Sequence, residues 1–448
     1  MSRILATLGP AVNLKDYPFF VRNSDLIRLN LSHGNIIWHK KAISYLRKIQ
    51  SNQTILVDIP GIKPRTLNSD NILIKKNEVV IFLYSNSKKK INNFNKIIYL
   101  SNPLPKSKGI PGYFTVSDGN FRFKIIKLKK NVIWGKSLQE FILKSRKGIN
   151  IPNSMYNNKS QEKIYNKFLK VAKDIKADCV GLSFIQDGKI IKKLKKKYPN
   201  FIYVSKIENF YGYKNRIEII ENSDMIMIDR GDLAAETGLE NLTNFTQEIV
   251  SDAQKKLKPV IIATENLNSL IYGTQPTKSE IFNLDFCINK KVDFIMLSDE
   301  TATSLQWKNT LVWLKTYIKS KSEIKFKKNN NFKIQELIKK IDDLNLVLFT
   351  KQGYFLKKLT NLNNLKSLFV FTENSNLCNI LKLRLNTYSF LTKFPERLSL
   401  DKFLYLNIKK NKSLIFKNFK YAFLINVIFP RKNSRANSIS LIEKKDFK

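Results

Sequence analysis

Short apolar runs alternate with longer amphipathic ones along the chain, and these two periods predict its elements. Ile4–Leu8 reads as a strand, Asn13–Arg22 as helical and Asp25–Asn30 as a strand. Lys40–Gln50 follows as an amphipathic helix and Thr54–Asp58 as a third strand. This rhythm predicts parallel strands joined by right-handed crossovers. It breaks around Pro64–Leu67. From there to about Ile151 come short strands with turn signals, among them Glu78–Tyr84, Lys96–Leu100 and Phe121–Leu128. No long helix separates them, so an inserted β-rich module is expected. The rhythm returns near Ser160 with a helix ending near Ile175. Strands are then expected at Cys179–Phe184, Tyr203–Glu208, Met225–Ile228, Val260–Thr264 and Phe294–Ser298. Eight βα units predict an α/β fold of the (β/α)8 barrel type, with its site at the C-terminal strand ends. Beyond a basic, Asn-rich linker at Phe326–Phe332, Leu346–Thr350 and Ser367–Phe371 point to a smaller α/β domain.

The strand ends carry the candidate chemistry. Residues two apart on a strand share a face, so Lys206 and Glu208 project together from the end of Tyr203–Glu208. One helix later, Met225–Asp232 is a second apolar run ending in a carboxylate. An ammonium and two carboxylates on adjacent strand ends can hold a divalent cation and a phosphorylated anion together. Two surface ion pairs would leave the same pattern. The other expected strands end at Asn30, Asp58, Ser183, Thr264 and Ser298, with Glu300 close behind. On one barrel mouth these groups would make an electrostatically dense pocket.

Composition narrows the class. Lys and Arg total 79 against 36 acidic residues, a formal net charge of +43. Clustered lysine is a footprint of nucleic-acid binding. Here the lysines are spread along the chain, and runs such as Lys88–Lys90 and Lys195–Lys197 are not interleaved with stacking aromatics. Lys, Asn, Ile, Phe and Tyr are abundant together, as drift in an AT-rich genome would leave them, and no specific nucleic-acid partner is expected. Three distant cysteines, Cys179, Cys287 and Cys378, give no disulfide framework and fit a cytoplasmic protein. Two histidines, His33 and His39, exclude a histidine-rich metal site. No apolar run approaches the ~20 residues of a membrane span.

Eight motifs in order carry a resemblance. ATLGP near the start, IRLNLSHG at 27–34, VDIPGIKPR at 57–65, SKIEN at 205–209, IDRGDLAAE at 228–236, PVIIATE at 259–265, QPTKSE at 275–280 and MLSDETA at 296–302 resemble the successive motifs of pyruvate kinase. VSDGNF at 116–121 and SRKGINIP at 145–152 extend it more weakly into the insert, and LFTKQG at 348–353 and RANSISLIE at 435–443 more faintly beyond. The resemblance implies a TIM-barrel domain at 1–65 and 152–325, an inserted β-barrel lid at 66–151 and a reduced α/β domain at 326–448, assembled as a homotetramer. It implies phosphoryl transfer from phosphoenolpyruvate to ADP, giving pyruvate and ATP. By resemblance Glu208 and Asp232 are the Mg²⁺ ligands, and Lys206 contacts the moving phosphoryl group and stabilises the enolate. Arg28 holds the substrate phosphate, and the amides of Gly231 and Asp232 receive its carboxylate. Thr264, with Ser298 and Glu300, forms the hydroxyl and water relay that protonates the enolate. Asn30, His33, Arg65 and Lys147 match nucleotide contacts, although a capping or packing role suits His33 nearly as well. Asn30, Ser32 and Asp58 match the monovalent-cation site.

The departures from the family pattern also generate expectations. Ile59 and Lys63 stand where many members carry a threonine and a glutamate, and a fixed ammonium at Lys63 would supply the positive charge that K⁺ otherwise provides, so K⁺ is expected to be dispensable. Asp229, Glu265 and Asp299 are acidic where a small residue, Gln and Gly are usual. Their charge would oppose an anionic substrate or tighten Mg²⁺, unless the side chains point away. Asp299 would be strained if that glycine needed a positive φ. Thr303 replaces a usual lysine, and Lys351–Phe355 lacks the small hydroxylated residues of a sugar-phosphate effector loop, so activation by fructose bisphosphate is not expected. The competing reading is a catalytically weakened relative acting as a basic binding protein.

Overall fold

The computed structural model describes residues 2–84, 96–107, 111–117, 119–322, 343–353, 356, 365–395, 400–426 and 438–447. The lysine run 88–90, the linker at 326–332, Asp118, residues 354–355 and the first residues of the 435–443 motif lie outside them. The chain divides into two compact units: residues 2–252 with 260–317, and residues 253–259 with 318–448.

In the first unit eight parallel strands close into a barrel: β1 (Arg3–Thr7), β2 (Leu26–Asn30), β3 (Ile55–Ile59), β4 (Cys179–Leu182), β5 (Ile202–Ile207), β6 (Met225–Asp229), β7 (Val260–Ala263) and β8 (Phe294–Leu297). Each pairs with its sequence neighbours, and β8 returns to β1 with Arg3 opposite Phe294 and Ala6 opposite Leu297. Strands covered on both faces must be apolar throughout, and β3, β6 and β8 are buried at every position. Several crossover helices start on side-chain caps. Asn157 accepts from the Ser160 amide, and Thr277 and Glu280 form a reciprocal capping box. The (β/α)8 expectation holds, with every barrel strand within two residues of its expected ends.

The insert leaves the barrel after β3. Its strands form a six-stranded sheet in the order Ile149–Asn150, Tyr113–Val116, Phe121–Lys129, Val132–Ser137, Val79–Leu83, Lys96–Tyr99. A two-stranded pair, Ile72–Ile74 with Phe141–Leu143, packs on the same apolar core, in which Phe82, Phe114 and Phe123 are fully buried. Outgoing and returning segments cross as a two-stranded neck. Arg65 bridges Gly148, the Thr66 amide donates to the Lys147 carbonyl at 2.9 Å, and the Ile149 amide donates to the Pro64 carbonyl at 2.9 Å.

The second unit contains a five-stranded sheet in the order Thr387–Leu391, Leu365–Thr372, Leu344–Phe349, Tyr421–Asn426, Ser438–Glu443, the last strand antiparallel. Phe349, Phe371 and Phe390 stack across it with centroids 4.4 and 4.7 Å apart. All three cysteines are buried and free.

Candidate active site

The C-terminal ends of the barrel strands converge as expected, with Lys206 of β5 at the centre. Its ammonium lies 3.1 Å from Glu208, 3.3 Å from Asp58 of β3 and 3.3 Å from Asp229 of β6. The Ser183 hydroxyl, just past β4, is 3.4 Å away. Only 5% of Lys206 is exposed. Burial alone would lower its pKa, but Asp58, Glu208 and Asp229 overrule that and push it up, so the ammonium stays charged. The surface ion-pair alternative is thereby excluded for Lys206 and Glu208.

Arg28 of β2 is held on both sides. Its Nε and one terminal nitrogen donate to Asp58 Oδ2 at 3.0 and 2.7 Å, and the other donates to the Thr7 hydroxyl at 3.0 Å. Ser183 donates to Asp58 Oδ1 at 3.1 Å, so both oxygens of this carboxylate are engaged. Burial opposes the charge on Asp58, yet Lys206 and Arg28 hold its pKa below the usual range.

Glu208 is fully buried, with Oε1 accepting from the Phe184 amide at 2.6 Å. Oε2 accepts no hydrogen bond and faces Lys206. Burial pushes the Glu208 carboxyl well up, against the pull of Lys206. Glu208, Asp229 and Asp232 each present an oxygen within 4.8 Å of the others. This hard, converging donor set, with a buried oxygen lacking a hydrogen bond, fits a divalent cation such as Mg²⁺.

Asp232 is reached from both strands of the neck. The buried Lys63 ammonium pairs with it, and the Asn150 amide lies 3.4 Å away. Asn150 also donates to Glu236 at 2.9 Å, as does the Tyr156 hydroxyl at 2.8 Å. Lys63 runs along Gly148, where a Cβ would fall 2.6 Å from its Nζ.

Thr264 follows β7 with φ +62°, and Glu265 has φ +53°. A β-branched residue is rarely found in that region. The Thr264 hydroxyl accepts from the Gly231 amide at 3.1 Å and faces two acceptors, the Ala263 carbonyl at 2.7 Å and Asp229 Oδ1 at 3.1 Å. Arg230 turns away from the mouth to bind Asn266 at 3.0 Å together with Asn283 and the Thr264 carbonyl, which anchors the strained turn. Ser298 follows β8, and its amide donates to the buried Glu300 at 2.6 Å. The other Glu300 oxygen accepts from the Leu267 amide at 3.3 Å. Glu300 thus ties the segment after β7 to that after β8, and burial raises its pKa.

The expected nucleotide and monovalent-cation residues lie around this centre. Asn30 accepts from the Ser32 amide at 3.0 Å. His33 is exposed, and its carbonyl accepts from the buried His39 ring at 2.8 Å. Desolvation and then Arg65 lower the His33 pKa. Arg65 and Lys147 lie on opposite strands of the neck, with Arg65 across from Gly148 and donating to the Arg146 carbonyl at 3.2 Å. Of the three acidic departures, only Asp229 points into the centre, whereas Glu265 and Asp299 are exposed. The expected strain at Asp299 is absent, because it begins the helix Asp299–Ala302 and has no positive φ.

Comparison with known proteins decides the family. The profile described as pyruvate kinase, barrel domain, matches residues 1–309. The chain is 30% identical over 326 residues to the pyruvate kinase of Buchnera aphidicola subsp. Schizaphis graminum, covering 69% of this chain and 68% of the relative. The chain belongs to the pyruvate kinase family. Within it, the pyruvate kinase of Thermococcus litoralis is also 30% identical, with 67% of this chain and 65% of the relative covered. Pyruvate kinase 2 of Saccharomyces cerevisiae is 28% identical, with 67% and 62% covered. The match therefore spans roughly two thirds of these pyruvate kinases. Sequence reasoning missed two supports of the mouth, Thr7 beneath Arg28 and Arg230 beneath the Thr264 turn. Asp229 had left a signal, an acid where the family carries a small residue.

Proposed function

We propose that this chain transfers the phosphoryl group of phosphoenolpyruvate to ADP, giving pyruvate and ATP. The observation that carries the reading is the buried Lys206 ammonium, fixed among three carboxylates at the barrel mouth beside Arg28. Such a transfer needs positioning and charge neutralisation more than covalent help from the protein. The planar Arg28 guanidinium suits contact with two oxygens of the substrate phosphate. Lys206 neutralises charge on the moving phosphoryl group and on the enolate oxygen it leaves. Glu208 and Asp232 would hold Mg²⁺, which when bound supplies further positive charge for the phosphate oxygens. At the start of the helix Arg230–Thr237 the Asp232 amide is offered to the substrate carboxylate, the Gly231 amide being taken by Thr264, and the Thr264 hydroxyl stands where the enolate gains its proton. Arg65 and Lys147 are placed to meet the nucleotide phosphates. On this reading 66–151 is a lid, 326–448 a reduced third domain, and the protein a cytoplasmic homotetramer that fructose bisphosphate does not activate.

A coupled assay with phosphoenolpyruvate, ADP and Mg²⁺ tests the reading. Lys206→Met should cut kcat by at least about 100-fold, the scale of losing one preorganised charge-stabilising group. Equal rates in wild type and variant would sink the proposal. The same assay with a bulky organic cation in place of K⁺ should keep its rate, because Lys63 supplies a fixed positive charge beside Asp232. A many-fold loss would return K⁺ to the mechanism.

A further inference from the structure

We infer that Asp229 is a positioning residue that couples Lys206 to Thr264. This rests on the pyruvate kinase reading and deepens it. Asp229 precedes the first turn of the helix Arg230–Thr237, where an aspartate ordinarily caps the helix by accepting from its amides. Its side chain makes no capping bond. One oxygen instead lies 3.3 Å from the Lys206 ammonium, and the other accepts from the Thr264 hydroxyl at 3.1 Å. Asp229 is buried, so neither contact is diluted by solvent.

The hydroxyl valences make the coupling specific. A threonine hydroxyl has one hydrogen and two lone pairs. The Gly231 amide takes one lone pair, and Asp229 with the Ala263 carbonyl takes the hydrogen. One lone pair is left to meet a water or substrate. A small residue at 229 would leave only the local Ala263 carbonyl to orient that hydroxyl. With aspartate there, a charge-assisted bond fixes the rotor and ties it to the ammonium that faces the other end of the enolate. The strained backbone of Thr264 is the second half of the same device, since it aims the side chain at Asp229.

The test separates enolate protonation from phosphoryl transfer. Exchange of the pyruvate methyl protons with deuterated water, followed by NMR with Mg²⁺ and inorganic phosphate, reads the first. The coupled assay reads the second. Asp229→Ala should lower methyl exchange by about tenfold or more, the scale of losing a hydrogen bond to a charged group. Asp229→Asn, which keeps an acceptor for Thr264, should regain most of it while still lowering phosphoryl transfer, because Lys206 has lost a charge. Thr264→Ala should lower exchange too, and adding Asp229→Ala should cost little more, since the two act as one unit. Exchange within twofold of wild type in Asp229→Ala, or multiplicative losses in the double variant, would overturn the coupling. Should Asp229→Ala fail to fold by circular dichroism, Asp229→Ser carries the same expectation and the same refutation. A wild-type protein that neither exchanges nor phosphorylates ADP would overturn the pyruvate kinase reading itself, and this inference with it.

Discussion

Glu236 shows how far one residue departs from its solution behaviour. It is fully buried, accepts from Tyr156 and Asn150, and lies within the fields of Lys63 and Asp232. Burial pushes its carboxyl from 4.5 up to about 8, with Tyr156, Asn150 and Lys63 pulling down and Asp232 pushing up. A carboxyl raised in the fold binds its proton more tightly there than in the unfolded chain. Its contribution is therefore full below pH 4.5 and lost as pH rises through about 8. Urea unfolding should show stability declining across that window by at most about 1.4 kcal/mol per pH unit. Glu236→Gln should flatten the decline, and parallel pH profiles for the two proteins would contradict the assignment. At this scale the sequence was legible where a strand end named its own chemistry, as at Lys206 and Glu208. It was opaque where a side chain's role depends on a neighbour far along the chain. Nothing near Thr7 announces that it holds Arg28, and nothing near Thr264 announces its positive φ, its carbonyl being gripped by Arg230 just past the preceding barrel strand.

Among the elements, the barrel strands were readable because burial on both faces demands unbroken apolar runs, and emergence at the mouth demands a polar end. Helix starts were less so. The helix placed at Lys40–Gln50 begins at Ile36, capped by Asn35, because the exposed Ile36 and Ile37 break the amphipathic pattern without breaking the helix. The neck of the insert was invisible, since its two strands are more than 80 residues apart and meet through single bridges such as Arg65 with Gly148. Gly148 is the position at which this neck is most exposed to change. Gly148→Ala would drive the new methyl into Lys63 and force its ammonium off Asp232. Overpacking of this kind costs about 1–3 kcal/mol. A lower Tm and tighter Mn²⁺ binding, read by calorimetry, should appear together, because the displaced ammonium no longer competes with the cation for Asp232, whereas a lower Tm with unchanged Mn²⁺ binding would show that Lys63 has another way out.

At the scale of the whole molecule, a net charge of +43 coexists with a mouth whose cations are individually matched to carboxylates. The excess charge therefore lies largely outside the site, and binding to a short RNA should be weak, sequence-independent and steeply reduced by added salt. Fluorescence anisotropy at low and high KCl checks this, and tight binding that persists in high salt would revive a nucleic-acid role. The seam between β1 and β8 carries a last consequence. Thr7, which braces Arg28, donates to the Leu297 carbonyl, and the Ser2 hydroxyl donates to the Val292 carbonyl, so the second edge of the first strand finds its partner only some 290 residues later. On the ribosome one edge of the N-terminal strand can pair with β2 early, but its other edge must wait until nearly 300 residues have been made. Loop closure over that length is slow, and the waiting edge is open to wrong partners. This protein should therefore depend on chaperones during synthesis, with the anchoring of Thr7, the brace of Arg28, to Leu297 among the last contacts to be completed.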